Sequence, residues 1–193
     1  PHTTVHSRLI FLIGLMGSGK NTLARALAQR YGCRFTDLDS VIEQRAGMSV
    51  AHIFASQGEE AFRRLEDEAL DCVIAMAARH HTGCHTIVAT GGGTPCRPGA
   101  MEKMNAAGLT VLLEASTTRL ATRLADDSAS RPLIAGKDLA GIAAVIDSQR
   151  VARAPFYNLA ATRFNAEHLD SASQIDDSCR LFAQKYLTSN DQK

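Results

Sequence analysis

The chain has 193 residues, of which 45% are hydrophobic and 21% are charged, values typical of a soluble globular protein. Its 21 basic and 20 acidic residues almost cancel, so the net charge gives no reason to expect binding to nucleic acid or to a membrane surface. No apolar run approaches the roughly 18 residues of a membrane span, and residues 1–7 show no signal-peptide character, so we expect a cytosolic protein.

Predicted strands and helices alternate along the chain. A continuous apolar run at 8–13 predicts a buried strand, and a glycine-rich segment at 14–20 separates it from a helix at 22–30. The next elements are a strand at 33–37 and a helix that is capped by Asp39 or Ser40 and ends at Arg45. A helix begins at 49, is interrupted by Gly58 and resumes over 59–79; it is followed by a strand at 86–90, a helix at 98–107 and a strand at 109–114. The last elements are helices at 117–124 and 139–153, the second of which is stopped by Pro155, a strand at 161–165 and a helix at 173–186.

This alternation predicts a single α/β domain over 1–193, with three α/β/α layers around a central, mostly parallel five-stranded sheet. Residues 1–7 are expected to be a disordered lead-in. Residues 125–138 form an irregular polar segment. Within the helix at 59–79, the residues expected to face the core are Phe62, Leu65, Leu70, Val73 and Met76.

The segment from Gly14 to Lys20 has the spacing G-x-x-x-x-G-K and lies between the first strand and the first helix. Glycines allow backbone N–H groups to converge on phosphate oxygens, and the helix N-terminus adds the positive end of its dipole. Lys20 is expected to reach the β- and γ-phosphates. The nucleotide site is predicted to include Gly17, Ser18, Gly19, Lys20, Asn21 and Thr22. A purely structural glycine turn is the alternative, and the flanking strand and helix argue against it.

Asn21 departs from the pattern, which has Ser or Thr after the lysine so that a hydroxyl can bind Mg²⁺. An amide oxygen can also bind a hard cation, although it approaches from a different angle. Nucleoside monophosphate kinases with Gly-Lys-Gly-Thr loops likewise lack this hydroxyl, so the departure need not abolish turnover. We therefore predict Asn21 as the residue of this loop nearest the metal.

Other candidates for chemistry have ordinary explanations when each is taken alone. Asp37 and Asp39, spaced by two along an extended chain, could cap a helix. Arg63 could be a surface residue paired with Glu66, and Arg153 could complement a helix C-terminus. The triple glycine at 91–93 could be a plain loop, and the two phenylalanines Phe54 and Phe62 could belong to the core.

Taken together, these features resemble the shikimate kinase family. The resemblance extends from about 9 to 182 and is carried, in order, by the glycine-rich loop, Asp37-Leu-Asp39, the segment 58–66, the triple glycine and the segment 153–157. It implies a nucleoside monophosphate kinase-like fold with a mobile lid at about 125–138 and substrate-binding helices at about 39–66. It also implies Mg²⁺-dependent transfer of the γ-phosphoryl group of ATP to the 3-hydroxyl of shikimate.

The resemblance also implies roles for individual residues. Asp39 would bind the accepting hydroxyl and either act as the catalytic base or orient that hydroxyl. Lys20 and the lid arginine Arg131 would be the catalytic residues at the phosphoryl group. Asp37 would lie near Mg²⁺, and Arg123 would lie over the adenine. The shikimate site would consist of Asp39, Arg63 held by Glu66, Arg153, the backbone of Gly92 and Gly93, and the rings of Phe54 and Phe62.

Two alternatives remain. The chain could instead be another small P-loop kinase that acts on gluconate or on a nucleoside monophosphate, although two carboxylate-binding arginines disfavour a nucleotide acceptor. A nucleotide-binding protein weakened in catalysis by Asn21 is the alternative from a different class. In either kinase hypothesis we expect a monomer with small-molecule partners, without nucleic acid or membrane.

Overall fold

A computed structural model of the chain describes residues 9–79, 84–126 and 132–188. The strands are β1 (Leu9–Ile13), β2 (Arg34–Asp37), β3 (Thr86–Ala89), β4 (Leu109–Glu114) and β5 (Thr162–Asn165). The helices are α1 (Lys20–Tyr31), α2 (Leu38–Ala46), α3 (Val50–Arg79), α4 (Ala100–Ala107), α5 (Thr117–Ala125), α6 (Leu139–Tyr157) and α7 (Ala172–Tyr186). A short 3-10 turn covers Thr94–Cys96. The predicted lead-in at 1–7 lies outside the described residues.

The five strands form one sheet in the order β2-β3-β1-β4-β5, and every neighbouring pair is parallel. This confirms the predicted fold class. Since all strands run the same way, their carboxyl ends lie at one edge of the sheet, where ligands of open α/β sheets bind. The loops after β1, β2, β3 and β5 all reach that edge.

Two hydrophobic clusters cover the two faces of the sheet. On β1, Ile10 and Leu12 pack with α1 and α7, whereas Leu9, Phe11 and Ile13 pack with the remaining helices. All five residues are buried, as expected for a central parallel strand covered on both sides. The continuous apolar pattern of this strand therefore reflects burial on two faces. None of the helices in the described ranges is long and apolar enough to cross a membrane.

Three local predictions had different outcomes. Gly58 does interrupt the long helical segment, since its φ of 80° and ψ of 175° are not helical. Met76 was wrongly placed in the core, because it lies beside β2, the edge strand of the sheet, and is 52% exposed. Pro155 does not stop α6, which continues to Tyr157. A proline near the end of a helix removes a single hydrogen bond there, so the final turn can still form.

Candidate active site

The loop between β1 and α1 has the geometry of a phosphate cradle. Gly19, at the start of α1, has φ of 85°, and a β-carbon there would lie 2.6 Å from Leu169 Cδ1. Only glycine fits this position without strain. The Lys20 ammonium donates to the carbonyl oxygens of Gly14 at 2.9 Å and Leu15 at 3.0 Å, so the loop itself orients the cation.

A cleft of about 590 Å³ opens above this loop. It is lined by the loop residues Met16, Gly17, Gly19, Lys20, Asn21 and Thr22, the acidic residues Asp37, Asp39, Asp126 and Asp170, and Thr90, Gly91, Gly92, Arg123 and Leu169. Ser18, also predicted for the nucleotide site, is buried beneath the loop. The cleft therefore joins the predicted phosphate cradle to the predicted acceptor side.

Asp37 and Asp39 reach this cleft by a route that the sequence did not indicate. Strand β2 ends at Asp37, and α2 begins at the next residue, so Asp39 lies in the first helical turn. The cap of α2 is Asp37, whose Oδ1 accepts from the Asp39 backbone N–H at 3.1 Å, and the prediction of Asp39 or Ser40 as cap was wrong. The other oxygen, Oδ2, accepts from Asn21 Nδ2 at 2.7 Å.

Asp39 has an unusual electrostatic environment. Burial, and after it the neighbouring carboxylates of Asp37 and Glu66, raise its pKa to about 6, whereas Lys20 opposes the shift. A carboxyl group with this pKa is largely ionised at neutral pH, yet it is a stronger base than an ordinary aspartate. Its properties suit a group that accepts a proton from a hydroxyl.

The triple glycine after β3 brings both predicted arginines to the site. A β-carbon on Gly92 would lie 2.6 Å from Arg153 Nη1, and one on Gly93 would lie 3.0 Å from Arg63 Nη1. The two guanidinium groups thus occupy the space that side chains would otherwise fill. Because these glycines carry no β-carbon, both arginines can approach the backbone closely.

The first glycine of the turn lies between two acidic groups. A β-carbon on Gly91 would lie 3.2 Å from Glu66 Oε1 and 3.5 Å from Asp39 Oδ1. Glu66 is almost fully buried, and its carboxylate accepts from Arg63 at 2.8 Å and from Thr94 Oγ1 at 2.5 Å. Asp39, Arg63 and Glu66 therefore surround one backbone turn.

The charges of the two arginines are balanced differently. Arg63 pairs with Glu66 and, at 3.2 Å, with Glu59. Within the described part of the chain no carboxylate pairs with Arg153, whose guanidinium donates to the Tyr157 hydroxyl at 3.4 Å. Arg153 is therefore not neutralised by a direct ion pair with the described residues, and its guanidinium favours an anionic ligand.

Two aromatic rings adjoin Arg63. Phe54 and Phe62 pack with ring centroids 4.5 Å apart, and the Arg63 guanidinium carbon lies 5.3 Å from the Phe62 centroid. Phe62 is buried, whereas Phe54 is 40% exposed. An exposed ring supported by a buried one can form an apolar wall for a ligand.

Arg123 connects the phosphate loop to the segment after β5. Its guanidinium donates to the carbonyl oxygens of Gly17, Ala166 and Glu167 and pairs with Asp170. These contacts hold two walls of the cleft together and place the planar guanidinium at its border. Arg131, predicted to reach the transferred phosphoryl group, lies outside the described residues.

Tyr157 is a functional candidate that the sequence analysis missed. It is buried, and its hydroxyl donates to the Gly92 carbonyl oxygen at 2.8 Å. The sequence did contain an indication of this role, because Tyr157 follows Arg153 by four residues and thus lies one helical turn away on the same face. The assumption that Pro155 ends the helix concealed this spacing.

The chain is similar to proteins of known activity. A protein-family model described as shikimate kinase matches residues 16–184. A shikimate kinase from Parabacteroides distasonis is 39% identical over 168 residues, which cover 87% of this chain and 93% of that protein. One from Phocaeicola vulgatus is 39% identical over 176 residues, covering 91% and 97%.

Solved structures of shikimate kinases are also similar to this chain. The crystal structure of shikimate kinase from Bacteroides thetaiotaomicron has a TM-score of 0.81 at 34% identity and covers 93% of this chain and 98% of its own. A shikimate kinase from Acinetobacter baumannii in complex with shikimate has a TM-score of 0.75 at 26% identity, covering 96% and 95%.

Proposed function

Because this chain belongs to the shikimate kinase family, we propose that it transfers the γ-phosphoryl group of ATP to the 3-hydroxyl of shikimate, giving ADP and shikimate 3-phosphate. The observation that carries this proposal is the convergence of Asp39, Arg63 and Arg153 on one glycine turn, beside the cleft that contains Lys20. A hydroxy-acid is the acceptor that this combination of groups fits.

On the acceptor side, Arg63 and Arg153 bind the shikimate carboxylate. Guanidinium groups form paired hydrogen bonds to a carboxylate, and the unpaired charge of Arg153 favours an anion. The Gly92 and Gly93 backbone adds donors, and Phe54 and Phe62 lie along the ring. Asp39 accepts the hydroxyl proton as the oxygen attacks phosphorus.

On the nucleotide side, the loop from Gly14 to Lys20 and Thr22 hold the phosphates. Lys20 and Arg131 stabilise the negative charge that spreads over the transferred group. Arg123 contributes its planar face to the adenine, while its N–H groups remain bound to the cleft wall. Positioning and charge stabilisation account for most of the catalysis in such reactions.

The oxygen ligands near the phosphate loop suit Mg²⁺. Among the described residues no group of three metal-ligating side chains is present, and Mg²⁺ is typically held by one or two protein oxygens together with phosphates and water. Asp37 and the Asn21 amide oxygen are the protein ligands we propose. Bound there, the ion would neutralise charge on the phosphate oxygens.

A coupled assay of ADP release, with shikimate, gluconate and a nucleoside monophosphate offered separately with MgATP, tests the proposed function. We expect turnover with shikimate and at most trace turnover with the other two. Turnover with gluconate alone would identify a different small-molecule kinase. Absence of turnover with all three would support the nucleotide-binding protein, for which Asn21 is the specific observation.

Asn21→Ser tests the effect of the unusual loop residue. The serine hydroxyl can bind the ion directly, whereas Asn21 donates its amide N–H to Asp37. We expect the Mg²⁺ concentration for half-maximal turnover to fall about tenfold, with little change in ATP affinity. Calorimetric titration of Mg²⁺ into the ADP complex should show the same shift.

Asn21→Ala is the matched control, because it removes both the amide oxygen and the contact to Asp37. It should weaken Mg²⁺ binding relative to the natural chain. Equal Mg²⁺ affinity in all three proteins would exclude residue 21 from the metal site.

A further inference from the structure

Both arginines of the acceptor site are attached to the glycine turn through an intermediate side chain. For Arg63 the intermediate is Glu66, a carboxylate that also accepts from Thr94. For Arg153 it is Tyr157, whose hydroxyl accepts from Nη1 at 3.4 Å and donates to the Gly92 carbonyl oxygen at 2.8 Å. The two connections differ in charge.

A neutral hydroxyl orients a guanidinium group without cancelling its charge. Burial raises the pKa of Tyr157 to about 12, so the phenol stays protonated at physiological pH and always has a proton to donate to Gly92. A carboxylate at the same place would pair with Arg153 and reduce its attraction for an anion. The tyrosine thus keeps the Arg153 guanidinium free of a direct ion pair.

The hydrogen bond to Gly92 also fixes the next backbone donor. The described peptides are trans, and in a trans peptide the N–H points opposite to the C=O. With the Gly92 carbonyl turned towards Tyr157, the Gly93 N–H points away from it. Within the described residues this N–H has no acceptor, so it is free to donate to a ligand.

We propose that Tyr157 is a positioning residue, whose hydroxyl sets the Arg153 guanidinium and the Gly93 N–H in the arrangement that receives the acid end of the acceptor. The proposal rests on the proposed function for the identity of that acceptor. Tyr157 itself touches Gly92 and Arg153, and it acts on the substrate through them.

Tyr157→Phe removes the hydroxyl and keeps the ring in the core. Loss of one hydrogen bond to a charged group and one to a backbone carbonyl is expected to raise the KM for shikimate about tenfold. The kcat should change less than about threefold, and the KM for ATP should stay unchanged, because the phosphate loop is not involved. The Kd for shikimate, measured by calorimetry, should rise in parallel with its KM.

Tyr186→Phe is the matched control. The Tyr186 hydroxyl also donates to a backbone carbonyl, that of Arg163, at 3.0 Å, but it lies on α7 on the opposite face of the sheet. If both variants lose a similar free energy of unfolding, that loss reflects only the structural hydrogen bond that each has given up. A rise in the shikimate KM confined to Tyr157→Phe reports positioning.

A substrate-independent measurement separates this proposal from the proposed function. In NMR spectra the Arg153 guanidinium signals, assigned by their loss in Arg153→Lys, should be sharp in the natural chain and in Tyr186→Phe. In Tyr157→Phe they should be shifted or broadened. Unchanged Arg153 signals, or equal shikimate Kd values in the two phenylalanine variants, would overturn the positioning role. Turnover of shikimate by the natural chain tests the proposed function alone.

Discussion

Asp39→Asn is expected to lower kcat/KM for shikimate by about 10³-fold while making the protein more stable at neutral pH. The loss of activity follows from removal of the group that accepts the hydroxyl proton, because an amide cannot act as a base. In the natural chain, kcat/KM should fall tenfold per pH unit below about pH 6, where Asp39 becomes protonated. The variant should lack this dependence.

The gain in stability follows from the raised pKa of Asp39. Between about pH 4 and pH 6 the folded chain binds more protons than the unfolded chain at this residue, so the free energy of unfolding decreases as pH rises through this interval. Above pH 6 the natural chain therefore carries a penalty of about 3 kcal/mol. Asparagine does not titrate and removes the penalty.

Urea unfolding of both proteins without metal or nucleotide, at pH 4.5 and pH 7.5, measures this difference. The stability gain of the variant should be present at pH 7.5 and nearly absent at pH 4.5. Asp177→Asn, an exposed aspartate paired with Arg180, is the control and should change neither activity nor stability appreciably. A gain of equal size at both pH values would contradict the assigned environment of Asp39.

Arg63→Met is expected to lose both stability and shikimate binding. It would leave the buried Glu66 carboxylate with Thr94 as its remaining partner, and an uncompensated buried charge destabilises a protein by about 3 kcal/mol. Shikimate binding should weaken at least about 100-fold, because half of the carboxylate site is lost. The free energy of unfolding and the shikimate Kd measure the two effects separately.

The double variant Arg63→Met/Glu66→Gln distinguishes these two consequences. The glutamine is uncharged and can still accept from Thr94, so stability should return to within about 1 kcal/mol of the natural chain. Shikimate binding should remain as weak as in Arg63→Met. Recovery of binding together with stability would mean that Arg63 supports the fold and does not contact the acceptor.

The sequence alone was sufficient to predict the fold and the phosphate loop. Both follow from local patterns: the apolar run of β1, the glycines and lysine that follow it, and the alternation of strands with helices. The wrong predictions also came from local sequence patterns. Met76 and Pro155 fit patterns that hold on average, but β2 is an edge strand and the last turn of α6 tolerates a proline.

The acceptor site could be predicted from the sequence only through the family resemblance. Arg63, Arg153 and Asp39 each have an ordinary local explanation, and no periodicity indicates that they meet. They come together because parallel strands deliver their following loops to one edge, and because packing against the sheet fixes the rotation of α3 and α6. Tyr157 was missed because Pro155 was taken to end the helix before it. Its contact with Gly92 joins segments far apart in the chain, so only the folded core determines that distance.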